Sequence, residues 1–167
     1  MQDLVLASVL IICTVTDLLH NKIYNLVLIP ALLFAWAYNL YLGSWMGLWQ
    51  SLLGLTVGLL ILIIPFAKGG IGAGDVKLLG FIGALKGVTF VIYAAIGMGL
   101  AGGLMALVIW SYRFGVIDTL VGIFKGIWVM IGSRFTVFSF RLHNEKITMP
   151  YGLAIALGTA GAWWWMR

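Results

Sequence analysis

Charge is scarce in this sequence. Of its 167 residues 9% are charged and only five are acidic, whereas 63% are hydrophobic, and the mean hydropathy is +1.11. So little polar surface cannot cover a soluble globule, which places the chain in lipid. The ten basic residues leave a net charge of +5. They stand singly, never in a Lys/Arg block interleaved with aromatics, which argues against a nucleic-acid partner. Cysteine is nearly missing too. Cys13 is alone and lies within an apolar run, which excludes a disulfide framework and a Cys-x-x-Cys zinc pair; no metal or other cofactor is expected. The first apolar run has neither a basic flank before it nor a small-residue cleavage site after it, so it reads as a permanent span and not as a signal peptide. There is no internal repeat and no sign of a second domain, so residues 1–167 are read as a single membrane-embedded domain.

What is abundant is apolar length. Hydrophobic runs cover residues 4–19, 26–42, 49–66, 76–110 and 151–165. At roughly 20 residues per crossing the fourth run holds two spans, and Lys86-Gly87 is the natural break, a charge beside a helix-weakening glycine. Residues 114–132 are apolar enough to span but carry Asp118 and Lys125. There Gly115, Asp118, Thr119, Gly122, Lys125, Gly126 and Ser133 recur at three- and four-residue steps, the mark of one polar face on a helix lying in the interface. With the amino terminus outside and six spans, Lys22, Lys68, Lys77, Arg113, Lys125, Arg134, Arg141 and Lys146 fall on the cytoplasmic side, and only Lys86 and Arg167 outside. The expected fold is therefore all-α and polytopic. It has about six transmembrane helices, near 4–19, 26–42, 49–66, 75–86, 88–110 and 150–165, plus a cytoplasmic interfacial amphipathic helix near 114–141. Trp163, Trp164 and Trp165 suit an aromatic belt at the outer interface, and the 22 glycines, spread through the spans, suit close helix contacts.

Two of the five acids stand at span boundaries. Asp17 closes the first run in Thr16-Asp17-Leu18-Leu19-His20-Asn21-Lys22-Ile23-Tyr24-Asn25, and Asp75 opens the fourth in Gly72-Ala73-Gly74-Asp75-Val76-Lys77-Leu78-Leu79-Gly80. A carboxylate near hydrocarbon is costly and is by default a functional group with a partner to be found. The topology, fixed by lysines and arginines alone, puts both acids at the cytoplasmic ends of their helices. A Gly-x-Gly-acid tetrapeptide is expected by chance about 0.09 times in a chain of this composition, so the motif gains its weight from its position and from Asp17.

These two stretches resemble the paired motifs of the GxGD-type intramembrane aspartyl proteases, specifically the prepilin peptidase family. Met149-Pro150-Tyr151-Gly152-Leu153-Ala154 resembles the proline-aromatic-glycine start of that family's last helix, where proline's missing N–H costs nothing. The resemblance implies an inner-membrane aspartic endopeptidase that cuts type IV prepilin or preflagellin-like precursors after a glycine at the cytoplasmic face, with Asp17 and Asp75 as the catalytic pair. It also implies a short form without the cysteine-rich insertion, and hence without N-methyltransferase activity. Gly72, Gly74, Asn25, Lys77, Pro150, Tyr151 and Gly152 are the candidate substrate-binding or supporting residues. The first motif commonly reads Ile-Pro-Asn, where this chain has Ile23-Tyr24-Asn25. Pro30-Ala31-Leu32 matches the letters of the presenilin motif but precedes Gly-x-Gly-Asp instead of following it, and reads as coincidence.

Aspartic proteolysis needs one carboxylate to take a proton from water and a second, protonated, to hydrogen-bond the scissile carbonyl, so two acids sharing one proton suffice. Asp75 begins a helix, where the dipole favours the ionised form, and Asp17 ends one, where it does not. This points to Asp75 as the base and Asp17 as the holder of the shared proton, although a coupled pair titrates as a unit. Gly72 and Gly74 are expected to permit unusual backbone angles and the close approach of an extended substrate. Asn25 is expected to cap the second span, His20 to be interfacial, and Lys77 to meet lipid phosphate. Two readings compete with the protease. One is a small proton- or cation-coupled transporter using the same acids, although transporters place sites near the midplane and often show repeats. The other is a noncatalytic scaffold, in which asparagine at both positions would be silent.

Overall fold

The computed structural model describes residues 1–20, 22–114 and 151–166, the side chains of 109–114 excepted. The chain divides into two compact units, one made of 1–102 with 150–167 and the other of 103–149. The expected interfacial segment at 114–141 falls almost wholly outside the described residues, as does Pro150. Five helices are described: α1 (Gln2–His20), α2 (Asn25–Ala67), α3 (Ala73–Lys86), α4 (Val88–Phe114) and α5 (Tyr151–Trp165). Three stretches, Gln2–His20, Asn25–Ala67 and Val88–Val108, are long and apolar enough to cross a membrane among the described residues.

The 43-residue α2 is a hairpin. Its backbone leaves helical geometry at Ser44, which takes φ 50 and ψ −146. Asn39, before that point, and Ser51, after it, both donate to the Ala84 carbonyl. Twelve residues of continuous helix would hold them about 18 Å apart, so the chain must reverse between them. The sequence runs ending at 42 and resuming at 49 imply a loop of several residues, whereas the reversal needs only one non-helical residue. Gly47 makes that possible, since a side chain there would collide with the Asn39 carbonyl.

The centre of the unit is α3. At 14 residues it is about 21 Å long, short of the roughly 30 Å of a hydrocarbon core. Asp75, Val76 and residues 78–85 are all buried, as a helix without a polar face requires. The second arm of α2 meets it backbone to backbone, at Gly54 against Gly83 and at Gly58 against Leu79 and Gly80, where an added Cβ at Gly58 would lie 2.6 Å from the Leu79 carbonyl oxygen. Gly54 and Gly58 form the small-xxx-small spacing that lets helices approach this closely. Gly87, at φ 89, closes α3 by donating its N–H to the Gly83 carbonyl, and α4 departs from there. Farther along, α4 crosses α5 at Gly97 and Gly158.

The rods alternate in direction between two ends. At one end Asp3 of α1 pairs with Lys86 of α3 and accepts from Trp163 Nε1 of α5 at 3.2 Å. At the other lie the last turn of α1 and the first turns of α3 and α5. Asp3 to Asp17 is about 21 Å along α1, while Asp75 to Lys86 on α3 and Gly152 to Trp163 on α5 are each about 17 Å. α1 runs antiparallel to both α3 and α5, so three rods of nearly matched length, tied at one end, bring their other ends together.

Candidate active site

Asp17 and Asp75 meet at that second end. Asp17 lies in the last turn of α1 and Asp75 in the first turn of α3, and both are buried, at 8% and 6% exposure. They are close enough for the charge of Asp17 to act on Asp75, whose own charge acts on the Tyr151 phenol. Each carboxylate is aimed by the backbone. The Gly152 N–H donates to Asp17 Oδ2 at 2.9 Å, and the Gly72 N–H donates to Asp75 Oδ2 at 3.2 Å. Asp75 thus serves as the third residue of its helix bonding back to the N-cap, half of a capping box. Its second oxygen, Oδ1, is buried and accepts no hydrogen bond among the described residues. Since both carboxylates accept one N–H, hydrogen bonding does not separate their roles in the way the helix dipoles do.

The glycines act through space and not through backbone freedom. Gly72 is in ordinary extended conformation, φ −76 and ψ 151; an added Cβ would lie 3.1 Å from Asp75 Oδ2. At Gly74 it would lie 2.7 Å from Ile23 Cβ, so the α1–α2 connection packs onto the first turn of α3. The positive-φ glycines of the described residues are Gly69 and Gly87 instead. At Gly152 a Cβ would fall 2.8 Å from Asp17 Oδ2. That contact joins residues 135 apart in sequence, which no local pattern reveals.

Asn25 and His20 look elsewhere. Asn25 does not cap α2 through its side chain; the N-cap is Tyr24, in extended conformation and without a side-chain cap bond. Asn25 Oδ1 instead accepts from Lys77 Nζ at 3.0 Å. His20 sits edge-on to Tyr24, with ring centroids 6.3 Å apart. Pro150 lies outside the described residues.

A model of the type IV leader peptidase family matches residues 4–110 of this sequence, a stretch that contains both aspartates and the Gly-x-Gly between them. The chain belongs to the type IV leader peptidase family. Among characterised members, it is 39% identical over 104 residues to a Bacillus subtilis (strain 168) protein named prepilin leader peptidase/N-methyltransferase, across 60% of this chain and 41% of the relative. The aligned part of the chain therefore spans less than half of that relative's length. No solved structure matches. The family match ends before α5, so Gly152, which donates to Asp17, lies beyond the matched residues.

Proposed function

We propose that this chain is an aspartic endopeptidase that removes the leader from type IV prepilin-like precursors, cutting after a glycine at the cytoplasmic face, with Asp17 and Asp75 as the reacting pair. The observation that carries the reading is two buried carboxylates, brought from different helices to one end of the bundle, each accepting a backbone N–H there. One proton is shared between them. One carboxylate takes a proton from the attacking water, and the other donates a hydrogen bond to the scissile carbonyl. As the tetrahedral intermediate collapses, the proton taken from water passes to the leaving amine. The N–H groups of Gly152 and Gly72 hold each carboxylate in place during this exchange. Asp75 Oδ1, which accepts no hydrogen bond among the described residues, is read as the oxygen that meets water or substrate.

The membrane setting belongs to the same proposal. The six antiparallel rods, counting the arms of α2 separately, are read as six crossings of the inner membrane with the amino terminus outside. The pair then lies at the cytoplasmic surface, where the excess of Lys and Arg also falls. Acids at helix ends, not at the midplane, favour the peptidase over a transporter. The N-methyltransferase part of the relative's name is not carried over, because the single cysteine is buried in α1 and offers no thiolate cluster.

Co-expression with a type IV prepilin tests the reading. The expected result is a faster-migrating product whose new amino terminus, found by sequencing, follows the leader glycine and is unmethylated. An uncut precursor, with the peptidase present in the membrane, would count against it.

A further inference from the structure

Lys77 stands two residues beyond Asp75, yet takes no part in that site. Asp75 is held by Gly72, and among the described residues the hydrogen-bond partner of Lys77 is Asn25. A neutral amide leaves the ammonium charge uncompensated among the described residues. With its Oδ1 occupied by Lys77, Asn25 retains an Nδ2 group able to donate. Both side chains are exposed.

Directly beneath them the arms of the α2 hairpin part over α3. The cleft, about 300 Å³, is lined by Leu32 from the first arm, Leu55 and Leu59 from the second, and Phe81 from α3, with Asn25 and Lys77 as its polar rim. Its size lies at the lower end of the roughly 300–1,000 Å³ range of small-ligand pockets. An acyl chain matches this volume more closely than a helix does. With side chains a helix is about 10 Å across, and one turn fills roughly 400 Å³. A narrow apolar chain attached to an anion does fit.

We infer that this cleft binds an anionic phospholipid, one acyl chain lying between the hairpin arms over Phe81 and the phosphate held by Lys77 Nζ and Asn25 Nδ2. The proposal does not rest on the peptidase reading. It uses charge complementarity at the rim and the apolar lining behind it. The lipid would bridge α2 and α3 one half-turn from Asp75.

The test is lipid retention by the purified, delipidated full chain, read by native mass spectrometry, for wild type, Lys77→Gln and Leu59→Trp. The ligands are phosphatidylglycerol, phosphatidylcholine with the same acyl chains, and inorganic phosphate as competitor. One lysine near a lipid surface contributes about 1 kcal/mol, so Lys77→Gln should retain phosphatidylglycerol about fivefold less. Leu59→Trp, which fills the cleft and keeps the charge, should also lose it, and phosphatidylcholine should bind wild type more weakly. Three results would each overturn the inference. They are equal retention by Lys77→Gln, equal retention by Leu59→Trp, and displacement by phosphate, which would indicate a site for a free anion.

Discussion

Replacing Gly152 with alanine puts a methyl group against the Asp17 carboxylate. The new Cβ would lie 2.8 Å from Oδ2, 3.1 Å from Cβ and 3.2 Å from Cγ of Asp17, where ordinary contacts begin at 3.4 Å. Something must therefore move by about 0.6 Å. The obstacle is the short side chain of a buried residue at the end of α1, which has no flexible tail to swing aside, so either α5 withdraws or the carboxylate turns. Both stretch the 2.9 Å Gly152 N–H to Oδ2 bond, a bond to a charged group worth about 1.5–3 kcal/mol. A 1 Å misplacement of a reacting group costs on the order of a hundredfold in rate. The expected loss is accordingly about tenfold to a hundredfold in prepilin cleavage, measured as initial rate on membranes with matched protein levels. Gly161→Ala is the control, since a Cβ there meets nothing within 4 Å on the same helix. Cleavage by Gly152→Ala at the wild-type rate would refute the idea that α5 seats the Asp17 carboxylate.

The rate should depend on pH through two limbs. In acid both carboxylates are protonated and no base remains; in alkali both are ionised and no donor remains, so a profile rising or falling in only one direction would oppose a shared-proton pair. Gly83→Ala should lower the thermal midpoint in detergent, because its Cβ falls on the Gly54 carbonyl and overpacking costs about 1–3 kcal/mol; Gly99→Ala, in open space on α4, should not. On a Cys13→Ala background, an impermeant maleimide should label Leu42→Cys in sealed cells and Lys68→Cys only after permeabilisation, and the reverse pattern would invert the proposed topology.

Helical content was legible because apolar runs of this length have few other solutions in lipid. The pair Lys86-Gly87 was legible as a break because a charge and a helix-weakening glycine both disfavour continuing a helix, and Gly87 indeed takes a positive φ. The α2 hairpin was less so. Its reversal depends on Ser44 and on Asn39 meeting α3 across 45 residues, and residues 43–48 look like an ordinary loop. At the site, residue type drew attention to Asp17 and Asp75, since acids are few and costly near hydrocarbon. The supporting contacts were hidden. Asn25 carries the composition of a cap but is drawn to Lys77 from a helix 52 positions away. Gly72 and Gly74 carry the composition of a flexible turn, yet they serve close contact with Asp75 and Ile23.

The central claim is that Asp17 and Asp75 act as one catalytic pair. Asparagine keeps the shape of each side chain but can neither ionise nor exchange a proton, so cleavage of a co-expressed type IV prepilin by Asp17→Asn and Asp75→Asn is the most direct measurement. Each substitution should abolish processing while the protein stays in the membrane at wild-type level. Processing that persists in either variant would contradict the pair.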